Sequence, residues 1–545
     1  MEDRNGTNQR IHGMSDVVFD SVLAYIHDSR DRQSVSLVCR RLYELEAQTR
    51  KHVTIALCYT ASPKQLWRRF PFVESLKLKG KPRAAMYNLI PEDWGGFATP
   101  WVEELSKSFI CLKALHFRRM IVKDEDLEVL ARERGHALQV LKLDKCSGFS
   151  TDGLSHICRS CRNLKVLFLE ESQVVEKDGN WLHELAMNNT QLETLNFYMT
   201  DLSQVSFNDL ELIAKRCKSL ASVKIGDCEI LDLVGFFRFA VSLEEFSGGC
   251  FNKSSEQYAS LAYPLRLCRL GLNYMSTNEM PIVYPFASRL KKLDLLYALL
   301  DTEGHCVLLQ QCPNLEVLEG LGSSSSLLQK MKRLRIERGA DEQEMEDEEG
   351  VVSQRGLTAI AQGCLDLEYI AVYKKLSDLP LDNGIQSLLS GCDKLRRFAL
   401  YLRPGGLTDV GLTYIGQHSQ NIRWMLLGYL GESDTGLLEF SRGCPSLQKL
   451  EVRGCCFSET ALAMAVLQLR SLRYLWVQGY RGSKTGFDLL AMARPFWNIE
   501  IIHLERSTVE KGERWNILHI YLLIILLLDQ DDFPPSVIPL NSIAQ

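Results

Sequence analysis

The chain has 545 residues, 46% hydrophobic and 24% charged, with a formal net charge of −5 and a pI near 6.2. That supplies material for a large buried core, and the acidic balance argues against general binding to nucleic-acid phosphates. The 17 cysteines are odd in number, and neither they nor the scattered histidines fall at zinc spacing, which points to a reducing compartment without a disulfide framework.

Residues 1–15 are polar, lack an apolar signal core and read as a disordered N-terminus. Residues 16–56 do not repeat. Val17 to Ile26 carries apolar residues at helical spacing, Asp31 is placed to cap a second helix, and Val35, Leu37 and Val38 lead into Cys39-Arg40-Arg41-Leu42. So small a helical module is stable mainly when docked on a partner or on the rest of the chain.

From residue 57 onward the chain repeats. Leu112, Leu138, Leu164, Leu192 and Leu220 are spaced 26, 26, 28 and 28 residues apart, and each opens an L-x-x-L-x-L phrase, as in Leu164, Leu167, Leu169 and Leu447, Leu450, Val452. This is the leucine-rich-repeat signature. The expected fold is an α/β leucine-rich-repeat solenoid, a horseshoe over residues 57–505, behind a small all-α N-terminal domain. Cys161, Cys217, Cys312, Cys364, Cys392 and Cys444 each stand three residues before an anchor and read as small buried residues that end the repeat helices. After Leu315 the next anchor, Met331, arrives in only 16 residues, so one repeat is truncated near 320–330. Residues 341–349 pack seven acids into nine positions and read as a solvated excursion. Residues 506–545 form an atypical tail, whose apolar run Ile517–Leu528 is too short to span a membrane and must either pack or aggregate.

Strand parity locates the functional wall. The leucines of each phrase face the core, and the intervening residues face the opposite, concave side. Arg333, Arg335, Tyr369, Tyr373, Arg397, Tyr401, Trp424, Leu426, Arg453, Tyr474 and Trp476 fall on that side. Earlier in the chain stand Lys77, Lys79, Lys81, Arg83, Arg118 and Arg119. Cations facing one hollow repel one another unless an anion sits among them, and guanidinium groups grip carboxylate and phosphate by paired hydrogen bonds. A small acidic ligand or polyanion is the expected partner. Neither a P-loop nor G-x-S-x-G is present, and no catalytic residues and no metal are expected.

The module with "SLVCRRLYEL" ahead of leucine-rich repeats resembles the F-box proteins. The phrases "SLKLKGKPRAAMYNLIPEDWGG", "LHFRRMIV", "KKLDLLYALL", "RLRIERGADEQEMEDEEG" and "SLRYLWVQGYR" resemble the plant coronatine-insensitive F-box family of jasmonate receptors, over about residues 15–502. The resemblance implies a non-catalytic specificity subunit of an SCF-type ubiquitin ligase, joined through its F-box to a Skp-type adaptor and cullin. It implies binding of jasmonoyl-isoleucine or coronatine, capture of JAZ repressors for ubiquitination, a structural inositol polyphosphate, and a location in the nucleus, with the cytoplasm as an alternative. Neither a nucleic-acid nor a membrane partner is implied. By position, Arg83, Ala84, Tyr87, Leu89, Arg335, Tyr373, Tyr401, Leu426, Arg453 and Trp476 match hormone contacts. Tyr87 stands where the family has phenylalanine, so its hydroxyl needs a partner. Lys79, Arg118, Arg119, Arg333, Arg397 and Arg473 are candidates for the inositol phosphate, and Lys77 and Arg338 match repressor contacts.

Against that pattern, a whole family repeat, which carries a further hormone-binding arginine, is missing after Tyr373, and the tail is unlike the family's terminal segment. These departures read as a splice variant or an altered gene model with weakened hormone response. Two other readings stay open: a related F-box receptor for another small acid such as auxin, and a leucine-rich scaffold without receptor activity.

Overall fold

The computed structural model describes residues 16–26, 29–82, 95–203, 205–295, 297–300, 302–320, 330–336, 352–373, 380–402, 404–482, 498–509, 512–522 and 537–539. The chain divides into two compact units, one of residues 1–81 with 95–219, the other of 82–94 with 220–545.

The first unit opens with helices Asp16–Ala24, Ser29–Ser36 and Arg40–Thr49. Asp31 lies inside the first turn of the second helix rather than capping it; there its charge still suits the helix dipole. Leu23, Leu42, Leu45 and Ala47 are buried, whereas Val22, Tyr25, Leu37 and Val38 are exposed. Arg32 braces the helices by donating to the carbonyl of Leu23 at 2.8 Å and of Thr49 at 3.3 Å. Buried Glu46 pairs with Arg50 and, at 3.2 Å, with Arg69 of helix Pro63–Arg69. The Arg69 guanidinium also lies 3.5 Å from the Tyr43 ring centroid, which fastens the module to the repeats.

Strands His52–Ile55, Ser75–Lys79, Ala114–Arg118, Val140–Asp144, Val166–Phe168 and Thr194–Asn196 pair in parallel in that order. The sheet thus begins inside the span read as the helical module. A helix follows each repeat strand, as in Asp124–Arg134 and Thr151–Ser160. The repeated leucines explain the stack: Leu115, Leu141, Leu167 and Leu195 are register partners, and all are fully buried. Each contributes roughly 2 kcal/mol by leaving water.

The second unit continues the same alternation. Parallel strands run Ser222–Lys224, Glu245–Ser247, Arg269–Gly271, Lys292–Asp294, Val317–Glu319, Arg333–Ile336, Tyr369–Tyr373, Arg397–Tyr401, Trp424–Gly428, Lys449–Arg453, Tyr474–Gln478 and Asn498–Val509. The shortened interval does not break the ladder, since Val317 pairs with Arg333. Nor is the ladder broken after Tyr373: Tyr369 pairs with Arg397 and Tyr373 with Tyr401.

The chain end departs from the tail expected after residue 505. Asn498–Val509 turns back on Gly512–Leu522 as an antiparallel hairpin, with an irregularity between His503 and Leu504, and Val537–Pro539 pairs with the latter strand in parallel. The first part of the apolar run is thereby absorbed into the sheet; the rest lies outside the described residues.

Cys161, Cys217, Cys364 and Cys392 are buried at helix C-caps, Cys444 is buried one residue beyond the Gly443 cap, and Cys312 is buried as well; none is in a disulfide. Burial pushes the thiols of Cys161, Cys312, Cys392 and Cys444 up to about 12, so they pack as small apolar groups. Among the described residues, no group of side chains could hold a metal, and no helix is long and apolar enough to cross a membrane.

Candidate functional site

In the second unit, strand register sorts the wall into rows. Arg333, Tyr369, Arg397, Trp424, Lys449 and Tyr474 are successive partners. The guanidinium of Arg333 lies 5.2 Å from the Tyr369 ring centroid, and that of Arg397 lies 5.1 Å from Tyr369 and 5.0 Å from Trp424. This is a ladder of alternating cations and rings, each holding its neighbour in place.

The next row is Arg335, Ala371, Ala399, Leu426, Glu451 and Trp476. Ala371, Ala399 and Leu426 form a buried apolar floor with Tyr369, Tyr373, Tyr401 and Trp424 packed around it. Small side chains at the first two positions leave room above the floor, while rings wall it. The third row is Tyr373, Tyr401, Gly428 and Arg453. The Tyr373 and Tyr401 ring centroids are 6.2 Å apart, and Arg335 lies 5.4 Å from the Tyr373 ring. Arg453 lies 4.3 Å from the Trp476 ring and 3.2 Å from Glu451.

The field over this wall is positive. Burial raises the Tyr369 hydroxyl above the usual tyrosine range although Arg335, Arg397 and Arg333 all pull it down. Those three arginines therefore act on one phenol. An acid over the floor would meet guanidinium groups at its rim and apolar carbon beneath it.

The first unit carries a second cationic surface. Lys77, His116 and Lys142 share one row, and Lys79, Arg118 and Asp144 share the next. Asp144 takes Arg118 at 3.3 Å and His116 at 3.4 Å. Burial pulls the Lys77 ammonium below its ordinary range, and the charges of Arg118, Lys142 and Arg119 pull the same way against Asp144. Arg119 sits in the left-handed region at φ 53° and donates from Nε to the Lys81 carbonyl at 3.0 Å.

The structure thus brings Arg335, Tyr373, Tyr401, Leu426, Arg453 and Trp476 onto one wall with Arg333 and Arg397, and groups Lys77, Lys79 and Arg118 on another, with Arg119 just beyond the end of its strand. Arg473 does not join a row; it precedes its strand and donates to the carbonyls of Leu472 at 2.7 Å and Arg470 at 3.3 Å. Arg83, Ala84, Tyr87, Leu89 and Arg338 lie outside the described residues. Sequence reasoning missed His116, Lys142, Lys449 and Glu451. The same alternation that located Arg453 would have found Lys449 and Glu451 on its strand.

Comparison with known proteins gives these rows a family. An F-box model matches residues 11–52, and a model described as the transport inhibitor response 1 protein domain matches residues 71–117. Coronatine-insensitive protein 1 of Arabidopsis thaliana is 60% identical over 532 residues, covering 90% of both chains. Coronatine-insensitive protein homolog 1b of Oryza sativa subsp. japonica is 54% identical, covering 95% of this chain and 94% of its own.

The chain belongs to the coronatine-insensitive F-box family.

GRR1-like protein 1 of Arabidopsis thaliana is more distant, at 33% identity over 93% of both chains. As a member of the coronatine-insensitive family, this chain is an F-box jasmonate co-receptor, the non-catalytic recognition subunit of an SCF-type ubiquitin ligase. Its F-box serves a Skp-type adaptor and, through it, a cullin. The alignment with the Arabidopsis relative spans 532 residues yet occupies only 90% of this 545-residue chain, so it crosses positions where this chain has no residue.

Proposed function

We propose that jasmonoyl-isoleucine or coronatine lies on the Ala371–Ala399–Leu426 floor, and that the occupied floor completes a docking surface for a JAZ repressor. Arg335 and Tyr373 take the ligand's acid and carbonyl groups, Arg453 meets it from the far side, and Tyr401 and Trp476 wall its ring. Arg83, Ala84, Tyr87 and Leu89 belong to the same contact set by family position, and Lys77 and Arg338 to the repressor contacts. Arg333 and Arg397 present cations to an inositol polyphosphate, and Lys79, Arg118 and Arg119 are candidates for the same class of ligand by family position; Arg473 is the weakest member, being engaged at its own turn. No bond is made or broken on this chain: the ligand acts as an interfacial glue, and the captured repressor is ubiquitinated elsewhere in the ligase. JAZ repressors act on transcription, so the working location is the nucleus.

The observation that carries this reading is the apolar floor of small residues edged by rings, with guanidinium groups at both ends. Its test is co-purification of the full chain with a Skp-type adaptor, followed by JAZ-peptide pull-down with and without coronatine. Adaptor and coronatine-dependent peptide should both be recovered. Recovery of the adaptor with no coronatine dependence would defeat the ligand assignment, and loss of both would favour the scaffold reading.

A further inference from the structure

Glu451 is an acid on a wall built mainly of cations and rings. Its side chain is only 1% exposed, and a carboxylate so buried persists as a charge only when both oxygens have partners. Those partners belong to two different rows. Oε1 accepts from Trp424 Nε1 at 3.1 Å, and Oε2 accepts from Arg453 Nη2 at 3.2 Å. Trp424 in turn carries Arg397 on its ring, and Arg397 shares Tyr369 with Arg333. On the other side, Arg453 lies over Trp476. One rigid carboxylate therefore joins the cation–ring ladder to the guanidinium at the end of the floor.

We propose that Glu451 is a positioning residue that aims Arg453 at the ligand's acid group and couples that aim to anion binding on the ladder. The inference rests on the site reading above. A carboxylate's oxygens are fixed relative to each other, so a shift of Trp424 when an anion binds Arg397 and Arg333 is passed to Arg453. The coupling is reciprocal: the ligand strengthens anion binding by the same factor. Glutamine at this position accepts from Trp424 but turns an N–H donor toward the N–H donors of Arg453, so only the Arg453 arm is lost.

The test uses the full chain with its adaptor. Coronatine affinity is measured by titration calorimetry with and without inositol hexakisphosphate, for the unaltered protein, Glu451→Gln, Arg453→Lys and the double variant. Glu451→Gln should weaken coronatine binding about ten-fold and abolish most of its enhancement by inositol hexakisphosphate. Adaptor recovery should hold, melting temperature should fall but leave the chain folded because the Trp424 bond is kept, and Glu451→Asp should restore part of the affinity. In the Arg453→Lys background Glu451→Gln should add little, because the two act as one unit. Full coronatine affinity in Glu451→Gln, with binding lost in Arg453→Lys, would overturn the inference and leave the site reading standing. Additive losses in the double variant would overturn it as well, and an unaltered chain that binds no coronatine would sink both.

Discussion

Tyr401 owes its position to a residue that has no side chain. A Cβ built on Gly428 would stand 2.2 Å from Tyr401 Cδ2, so the tyrosine ring occupies the space over the glycine, and Tyr429 closes it edge-on at 5.3 Å. Gly428→Ala should push the ring toward the floor, lower coronatine-dependent JAZ capture several-fold and destabilise the fold by about 1–3 kcal/mol through overpacking. Unchanged capture in a pull-down would show that Tyr401 does not wall the ligand. Arg335→Lys makes a separate test of chemistry over charge: the ammonium keeps the sign but not the paired geometry, and coronatine affinity should fall about ten-fold. Alternation along the strands was enough to place Arg335, Tyr373, Tyr401 and Arg453 together. It could not place Arg83, Ala84, Tyr87 or Leu89, which come after the Ser75–Lys79 strand rather than lie in it. Glu451 was overlooked for a different reason. A search for anion binders passes over an acid, even one whose task is to hold an arginine in position.

Consecutive helices are stapled by a recurring aspartate. Asp124 accepts from the Ser150 N–H at 2.7 Å and its hydroxyl at 2.6 Å; Asp382 does the same with Thr408 at 3.0 and 2.6 Å, and Asp434 with Ser458 at 2.8 and 2.7 Å. Asp409 likewise accepts from Ser433, through its N–H at 3.1 Å and its hydroxyl. Each acceptor sits in the first turn of one helix and each donor is the N-cap of the next, so one carboxylate serves two helix starts. The sequence carries the device as Thr408-Asp-Val-Gly411 and Ser433-Asp-Thr-Gly436. The glycine leaves room for the preceding carboxylate, because a Cβ on Gly411 would meet Asp382 Oδ1 at 2.3 Å and one on Gly436 would meet Asp409 Oδ1 at 2.4 Å. Asp409→Asn should lower unfolding stability by about 1–3 kcal/mol in a denaturant titration.

These staples also set an acid limit. Burial pushes the Asp124 and Asp434 carboxyls up, but hydrogen bonds from Ser150 and Ser458, with Lys177 and Arg481 nearby, outweigh it and hold both below the usual carboxylate range. The stability they supply is present above the unfolded carboxylate pKa and is lost as pH falls through the folded values. Melting temperature should therefore drop as pH falls from about 4 downward, and Asp434→Asn should flatten that drop. A variant as acid-sensitive as the unaltered protein would contradict the assignment. The leucine pattern made the repeats readable, whereas the hairpin at the chain end was not, since Gly512–Leu522 lacks the repeat phrase and its pairing is set by the strand beside it.

Across the whole molecule, the second unit keeps an unbroken parallel ladder from Val317 to Arg333 and from Tyr369 to Arg397. We propose that a family repeat is absent after Tyr373; such an omission leaves the ladder paired and removes one strand's width of wall and whatever that strand displayed. Restoring a family repeat between residues 373 and 380 should raise coronatine-dependent JAZ capture severalfold, and equal recovery from both chains would count against the pocket assignment. The end of the ladder makes the opposite case. Stopping the chain after Val509 would strip Gly512–Leu522 from its partner and bare a long strand edge, so the truncated protein should aggregate in light scattering at concentrations where the full chain does not.

A ladder that reseals after losing a module changes its dimensions in steps. Neighbouring strands stand about 4.8 Å apart, so gain or loss of one repeat widens or narrows the space between Tyr373 and Tyr401 by that increment and no less. Side-chain replacement offers the fine adjustment; repeat number offers the coarse one. Receptors built this way can jump between ligand sizes in a single genetic event without passing through an unfolded ancestor.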